Sequence, residues 1–486
     1  MPKRIHAASM IWSVAVHLPM NIQGKSMSVP EISGPITGGK RGWPFGAAYQ
    51  DVASIGYVEN EYFFGGQATR YQAKPGTELG RDGFWEAESA GTDAFKSRML
   101  VYTPADPARF NGTVIVTWNN VTAGHDLFGA DSEEVFEGGF ALVCVTTQKA
   151  GIDGLAPIHQ GLANWDPERY GSLRMSSDDY SFDVFSQAAK AVGPKRDTTA
   201  IDPMLGLSVK RLVAQGASQS AGRLGTYVNA IAPIDNPFDA FILTIYFGRG
   251  TPLEVGETVV NINQPADSVP VQRRLQGSNL LRTDLAVPIL VVNSELEAIA
   301  CHGVRQPNTD TMRFWETAGT CHVSQQGRTA RQRLIERDEL VARDIEPNIN
   351  AIPMNPIYDS SYFHMQRWLN DGTPPPIFEA IAFTGDPAEV VRDGEGIAVG
   401  GIRLPQADVP VAKNSAIPVT DDIFGVLGGS SYAFTVAQNV VLHGDRATFL
   451  ARFRAAADAA VTADAIRPRE VEKLVTEAGE MWDKAT

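Results

Sequence analysis

The sequence predicts an α/β protein in which a mostly parallel central sheet is flanked by helices. Several runs of strand length are almost wholly apolar and rich in Val and Ile, which is typical of strands buried on both faces. Segments with helical periodicity separate these runs, as expected where one parallel strand crosses over to the next. The alternation stops at three places, and these predict an N-terminal extension, an inserted lid and a C-terminal decoration.

The apolar runs define the predicted strands of the sheet. They comprise residues 98–104, 113–118, 140–147, 211–217, 238–246 and 287–293. A helix is predicted over residues 178–192, where the Ser and Asp side chains of 177–179 are suited to capping its first turn. Residues 446–466 and 468–482 are predicted to be closing helices.

The chain has 486 residues, which is enough for one heavily decorated domain or for two or three smaller ones. Residues 27–95 are rich in Gly, Pro and aromatic residues with short alternating stretches, which predicts a β-rich segment packed on the core. Residues 96–486 are then the α/β domain. Within it, residues 248–286 interrupt the alternation of strand and helix and are predicted to form a lid. Residues 1–26 are predicted to be a leader or an extension.

Composition limits the class of partner. A net charge of −14 argues against nucleic acid or an anionic membrane surface as the main partner. No apolar stretch reaches the ~20 residues of a transmembrane helix, and no cofactor is predicted, so a small molecule is the expected ligand. Lys3 and Arg4 precede an apolar stretch that His6 and His17 interrupt. A cytoplasmic location is therefore favoured, and a secreted or periplasmic one is the alternative.

The strand predicted over residues 211–217 runs into a helical pattern through residues 216–220, Gly-Ala-Ser-Gln-Ser. Small residues at such a turn are the pattern of a nucleophile elbow, which presents a serine at the carboxyl end of a sheet. Ser218 is the favoured nucleophile because it lies directly after the strand and two residues after Gly216. Ser220, in an overlapping register, is the alternative, and a tight turn without a catalytic role also fits the motif alone.

A nucleophilic serine requires a base that is oriented by an acid, and after an elbow the acid and the histidine follow in that order. The strand predicted over residues 287–293 ends directly before residues 294–297, Ser-Glu-Leu-Glu. Glu297 is the favoured acid because it lies a few residues beyond the strand end. Glu295 is the alternative acid.

His322 is the favoured base among the eight histidines of the chain. It follows the apolar segment 313–316 and a Gly-Thr pair, which places it in a loop. Because the carboxyl ends of parallel strands meet at one edge of a sheet, this imidazole is expected to meet the serine and the acid there. His302 and His364 are the alternatives.

An oxyanion hole requires backbone N–H groups that point at the charge developing on the substrate. The residue after the nucleophile, Gln219, is expected to supply one of these groups. The second is expected from the loop that follows residues 113–118, at Asn120 or Val121.

The chain contains three cysteines, Cys144, Cys301 and Cys321. Cys301 and Cys321 lie close in sequence to the predicted acid and base, so a disulfide between them is one possibility and two free thiols are the other. No metal site is predicted, because adjacent Cys and His side chains diverge and ligand spacing typical of zinc is missing.

Segments spread along the chain, including VTWNNVTAGHD, NWDPERYGSL, GASQSAGRL, RFWETAGTCH and GGIRLP, together resemble those of a bacterial "α/β hydrolase domain" family. The similarity extends from about Ile32 to the C-terminal helices. It implies an α/β-hydrolase fold and a serine hydrolase. Ser218 matches the serine of the family's G-x-S-Q-S motif, and His322 matches the histidine of W-E-x-A-G-T-x-H. Glu297 stands where related members tend to carry the aspartate of S-E-T-D.

These features lead to one favoured function and two alternatives. The favoured function is hydrolysis of a small-molecule carboxylic ester through an acyl-enzyme, with Ser218, Glu297 and His322 as the triad. An acyltransferase would use the same three residues. A non-catalytic small-molecule-binding protein on a hydrolase scaffold is the alternative outside enzymes.

Overall fold

The computed structural model describes residues 30–127, 132–156, 158–197, 200–256, 277–341, 348–417 and 427–485. The predicted leader or extension, residues 1–26, lies outside these ranges. So does most of the predicted lid, residues 257–276. The flanks of that lid are described and fixed to each other, because the N–H group of Asn279 donates to the Gly248 carbonyl at 3.0 Å.

The centre of the structure is a nine-stranded sheet. Its strands are β1 (Glu31–Ser33), β2 (Tyr57–Ala73), β3 (Ala87–Pro104), β4 (Thr113–Trp118), β5 (Ala141–Val145), β6 (Arg211–Ala217), β7 (Ala240–Thr244), β8 (Ile289–Ser294) and β9 (Met312–Thr317). They lie in the order β1-β2-β3-β5-β4-β6-β7-β8-β9. Pairing is antiparallel from β1 to β5 and parallel from β5 to β9. All six runs predicted to be strands lie in this sheet, which confirms the mostly parallel α/β class.

Helices cover both faces of the sheet. They are α1 (Glu133–Glu137), α2 (Lys149–Asp153), α3 (Leu162–Trp165), α4 (Pro167–Tyr170), α5 (Ser181–Val192), α6 (Gln219–Thr226), α7 (Glu295–Cys301), α8 (Gln325–Arg337), α9 (Asn355–Asp371), α10 (Pro405–Asp408), α11 (Val436–His443), α12 (Arg446–Thr462) and α13 (Glu470–Asp483). Two small hairpins accompany them, formed by β10 (Phe383–Thr384) with β11 (Glu389–Val390) and β12 (Ala412–Ser415) with β13 (Ser430–Ala433).

Burial on both faces explains why the parallel strands are apolar. Every residue of β4, β5, β7, β8 and β9 is buried. Side chains alternate between the faces, so that Val114 and Val116 of β4 belong to one hydrophobic cluster and Ile115 belongs to the other. The first cluster includes Phe185 of α5, and the second includes Ile357 of α9. The predicted helix over 178–192 is present as a short 3₁₀ turn followed by α5.

The N-terminal strands differ from the predicted organisation. β2 and β3 pair along their full length, and β3 continues into the main sheet by pairing residues 99–102 with residues 142–145 of β5. The expected boundary between residues 95 and 96 therefore falls inside β3. Residues 31–104 extend the central sheet and are not a separate segment packed on it, because the apolar end of β3 is shared between the hairpin and the core.

A buried group of charges joins this hairpin to the carboxyl edge of the sheet. Arg98 of β3 lies between two carboxylates, with Nε 2.5 Å from Glu61 Oε1 and Nη1 3.7 Å from Asp126 Oδ2. Arg169 of α4 contacts the other oxygen of Glu61 at 2.6 Å. Asp126 also accepts a hydrogen bond from Asn119 at 3.1 Å. Two positive and two negative charges thus compensate one another, and they fix the loop that follows β4.

All three cysteines are free and buried, so the possible disulfide between Cys301 and Cys321 is not formed. The thiol of Cys301 lies 2.8 Å from the carbonyl oxygen of Tyr246, and the thiol of Cys321 lies 2.9 Å from that of Gly428. The two sulfur atoms therefore face different segments. Burial raises the pKa of both thiols.

Within the described ranges, no helix is both long enough and apolar enough to cross a bilayer. The closing helices α12 and α13 pack beside α9 and α1 through charged as well as apolar groups. Arg469, just before α13, contacts Glu134 of α1 at 2.7 Å and Asp359 of α9 at 2.8 Å. Glu470 is buried beside this pair, and its pKa is raised to about 7 by burial and by the Asp359 carboxylate.

Replacing Glu470 with Gln is expected to stabilise the protein at pH 8 and to have little effect at pH 5. A raised folded-state pKa means that the stability contributed by the protonated carboxyl is lost as the pH rises toward about 7. The expected gain in the free energy of unfolding at pH 8 is about 2 kcal/mol, measured by urea titration. Glu480→Gln, an exposed change on the same helix, is the control, and equal pH slopes for both variants would contradict the assignment.

The free thiols give a second test of the structure. The native protein is expected to react slowly with a thiol reagent, because burial removes access and disfavours the thiolate. After denaturation without reductant, all three cysteines should titrate. Detection of a single thiol would instead indicate a disulfide.

Candidate active site

Ser218 lies at a strained turn between β6 and α6. Its backbone has φ 59° and ψ −116°, a conformation that is uncommon for a residue other than glycine and that concentrates at functional sites. Its N–H group donates to the Thr244 carbonyl at the end of β7, at 3.0 Å. Gly216 permits the close approach of strand and helix, since a Cβ atom there would lie 2.7 Å from the Ser220 carbonyl oxygen. The predicted elbow is therefore present in the backbone.

The two candidate serines have different environments. Ser220 is fully buried, and its hydroxyl donates to the Ala217 carbonyl at 2.9 Å and accepts from the Ala217 N–H at 3.0 Å. It joins the end of β6 to the first turn of α6. Ser218 is partly exposed. The geometry thus gives Ser220 a role in the turn and leaves Ser218 as the accessible hydroxyl.

Glu297 contacts His322 directly. The two side chains lie 2.7 Å apart, from Oε1 of the glutamate to Nδ1 of the imidazole, and the carboxylate is fully buried. The other oxygen, Oε2, accepts hydrogen bonds from the hydroxyl of Ser294 and from its N–H at 3.3 Å. Ser294 and Glu297 form a capping box at the start of α7. Of the two predicted acids, Glu297 is the one that meets the imidazole.

Glu295 is also fully buried but points elsewhere. Its Oε2 accepts a hydrogen bond from the Gly319 N–H at 2.7 Å, and its Oε1 lies 2.7 Å from Nη2 of Arg392. Gly319 has a φ of 72°, which a glycine adopts without strain. Glu295 therefore anchors the loop between β9 and His322 and does not contact the imidazole.

The other two candidate histidines lie outside this arrangement. His302 is exposed and packs against Phe383, with ring centroids 4.3 Å apart. His364 is buried in α9, where its Nε2 lies 2.9 Å from the Asp464 carbonyl oxygen and burial lowers its pKa. His322, by contrast, stacks on Phe247 with a centroid distance of 5.2 Å.

Ser218 and His322, the favoured nucleophile and base, are not hydrogen bonded to each other within the described ranges. Such bonds are often long or poorly aligned without substrate and tighten in the reacting complex. The two residues nevertheless belong to the same edge of the sheet, where Ser218 follows β6 and His322 follows β9.

The predicted oxyanion donors are only partly available. The N–H group of Asn120 donates to the Leu127 carbonyl at 3.1 Å, which corrects the expectation that it is a free donor. This bond belongs to a short antiparallel bridge within the loop after β4. The N–H group of Val121 donates to Oε1 of Gln219 at 3.1 Å. The loop after β4 therefore reaches the turn at Ser218 through the hydrogen bond between Val121 and Gln219.

Two residues that contact the predicted site residues were not predicted from the sequence. Phe247 lies three residues after β7, and its position just beyond a core strand is a signal that could have been used. Arg392 lies far along the chain in a segment rich in Gly and Pro, and no periodicity or spacing points to its contact with Glu295.

Among the described residues, one group of three carboxylates could hold a metal ion, formed by Glu133, Asp359 and Glu470. Arg469 and Lys473 already contact carboxylates of this group, at 2.8 Å each from Asp359 and Glu133. The group therefore serves the packing of α13.

No curated protein sequence matches the chain. Among solved structures, a prolyl endopeptidase matches at 12% identity over 58% of this chain and 45% of that chain, with a TM-score of 0.27. Oligopeptidase B from Leishmania major matches at 12% identity over 60% of this chain and 37% of that chain, with a TM-score of 0.29. Esterase Est22 matches at 12% identity over 59% of this chain and 78% of that chain, with a TM-score of 0.31.

The chain thus spans less than half the length of these two peptidases. A family model described as Alpha/beta hydrolase domain matches residues 32–476, which is most of the sequence. The fold and the match together establish that the chain belongs to the Alpha/beta hydrolase domain family.

Proposed function

We propose that this protein hydrolyses a small-molecule carboxylic ester through an acyl-enzyme on Ser218. The observation that carries the proposal is the hydrogen bond of 2.7 Å between His322 Nδ1 and the buried Glu297 carboxylate, at the sheet edge where the Ser218 elbow lies. Such a pair gives the imidazole a fixed orientation and leaves its Nε2 free for proton transfer.

The first half of the reaction forms the acyl-enzyme. With the Nδ1 proton directed at Glu297, Nε2 of His322 accepts the proton of Ser218 as its oxygen attacks the ester carbonyl carbon. The carbonyl oxygen becomes an oxyanion, which the N–H group of Gln219 stabilises. The N–H group of Val121 joins it when its hydrogen bond to Oε1 of Gln219 is exchanged for one to the substrate. The oxyanion then reforms the carbonyl, the bond to the alcohol oxygen breaks, and Nε2 returns its proton to the departing alcohol.

The second half of the reaction removes the acyl group. Nε2 of His322 accepts a proton from water, and the resulting oxygen nucleophile attacks the carbonyl carbon of the acyl-enzyme. When this second oxyanion collapses, the bond to Ser218 breaks and the serine oxygen regains its proton from Nε2. If an alcohol takes the place of water, the same steps transfer the acyl group. Product analysis with added alcohols separates the two outcomes.

Glu297 is suited to the imidazolium that forms in each half of the reaction. Its carboxylate is excluded from water, and its second oxygen is held by Ser294. In this environment the attraction between the carboxylate and the imidazolium is stronger than in water. Ser294 thereby restricts the carboxylate to one orientation toward His322.

Ser218→Ala is expected to lower kcat for ester hydrolysis by roughly 10⁴-fold or more, because it removes the nucleophile. The same change should abolish covalent labelling by a fluorophosphonate, located by mass spectrometry. Ser220→Ala is the matched control, since it removes a hydroxyl from the same turn. The Ser220→Ala control should still be labelled at Ser218. It should mainly lower the melting temperature. Retained ester turnover in Ser218→Ala would contradict the proposal.

Glu297→Gln is expected to lower kcat by about 10³-fold or more with a smaller change in KM, because an amide no longer stabilises the imidazolium. Glu295→Gln is the matched control, since its carboxylate contacts Gly319 and Arg392 instead of the imidazole. We expect the control to lower the melting temperature more than it lowers kcat. A larger loss of kcat in Glu295→Gln than in Glu297→Gln would reverse the two assignments.

A further inference from the structure

We propose that Phe247 is a positioning residue that holds the plane of His322 and stabilises its imidazolium form. The inference rests on the proposed function, because it assigns His322 the role of base. The two rings lie nearly parallel, with an interplanar angle of 24° and centroids 5.2 Å apart. The imidazole and phenyl rings are therefore stacked.

The backbone that carries Phe247 is fixed to the segments of the nucleophile and the acid. The Thr244 carbonyl accepts the N–H of Ser218, and the N–H of Ile245 donates to Val292 in β8 at 2.8 Å. Ile245 has a φ of 46°, an uncommon conformation for a β-branched residue. Strain at this position is retained because hydrogen bonds on both sides determine the course of the chain.

The backbone of Tyr246, the next residue, is also held by hydrogen bonds. The side chain of Asn293 accepts the N–H of Tyr246 at 2.7 Å and donates to its carbonyl at 3.0 Å. Gly248, with a φ of 70°, fits closely against the end of α7, because a Cβ atom there would lie 3.0 Å from the sulfur of Cys301. The residues before and after Phe247 are thus both tied to the strand and helix that flank Glu297.

Two contacts in different directions then define the position of the imidazole. Glu297 is hydrogen bonded to Nδ1, and Phe247 stacks against the ring. A hydrogen bond to one nitrogen still permits the imidazole to rotate about that bond, whereas the stacked phenyl ring of Phe247 opposes this rotation. Glu297 and Phe247 together therefore set the direction of Nε2.

The same geometry suits the charge that His322 acquires during the reaction. The face of an aromatic ring carries negative potential and attracts a cation placed over it. The neutral imidazole gains less from this contact than the imidazolium does. Loss of the phenyl ring should therefore make the imidazolium less stable and proton transfer to Nε2 less favourable.

Two variants of Phe247 distinguish an effect of its aromatic ring from an effect of apolar packing alone. Phe247→Leu keeps an apolar side chain but removes the ring, and Phe247→Tyr keeps the ring. Phe383→Leu is the matched control, because Phe383 packs against His302, which has no part in the proposed triad. Turnover of p-nitrophenyl acetate between about pH 5 and about pH 9 and the rate of fluorophosphonate labelling at Ser218 are the two readouts.

We expect Phe247→Leu to lower kcat and the labelling rate by about 10-fold, with KM within about 2-fold of the wild type. The acid limb of its kcat/KM profile should move down by about half a pH unit, which corresponds to the loss of one cation–π contact. Phe247→Tyr and Phe383→Leu should match the wild type in rate and in pH profile. Melting temperatures check that each variant is folded.

Two failures are distinguishable. If the wild type is labelled at Ser218 but Phe247→Leu is labelled equally fast with an unmoved acid limb, the role of Phe247 is wrong and the proposed function stands. An equal loss in Phe247→Tyr and Phe247→Leu would also overturn it, because the ring would then not be the cause. If the wild type is not labelled at Ser218, the proposed function fails and the inference fails with it.

Discussion

The arrangement of the candidate site depends on the parallel pairing of four buried strands. β6, β7, β8 and β9 end at the same edge of the sheet, and their pairing places Ala217 beside Thr244 and Ser294 beside Thr317. The chain leaves these strands at fixed points, and Ser218, Phe247, Glu297 and His322 each follow within a few residues. Strand pairing thereby brings residues as many as 104 positions apart in the sequence to one edge of the sheet.

Beyond the strand ends, buried polar contacts take over the positioning. Loops lack the continuous backbone hydrogen bonds of a sheet, so a loop that must keep one conformation needs specific anchors. Glu295 supplies one for the loop before His322, through Gly319 and Arg392. Asp126 supplies another for the loop after β4, where Arg98 compensates its charge. Both carboxylates are out of reach of the chemistry that we propose, yet they fix the segments that carry it.

The sequence predicted those features that leave a local signal. Strands buried on both faces are apolar throughout, and Ser218, Glu297 and His322 directly follow such runs or lie in short loops near them. Features that depend on pairing between distant segments were not predictable in this way. The pairing of β2 with β3 along their full length, which places the expected boundary inside β3, depends on register, and composition does not reveal register. The bond of the Asn120 N–H to Leu127 is local, but it depends on loop geometry that composition does not reveal either. The thiols of Cys301 and Cys321 contact the carbonyl oxygens of Tyr246 and Gly428, and composition does not reveal these contacts either.

The different roles of the two glutamates follow from the geometry of α7. Glu295 and Glu297 are the first and third residues of the helix, and successive residues are rotated by about 100° around a helix axis, so their side chains leave in nearly opposite directions. The third position is also the one from which a side chain can reach back to the residue before the helix. Glu297 uses one oxygen for Ser294 and the other for His322. The acid of the proposed triad is therefore oriented by the start of its own helix.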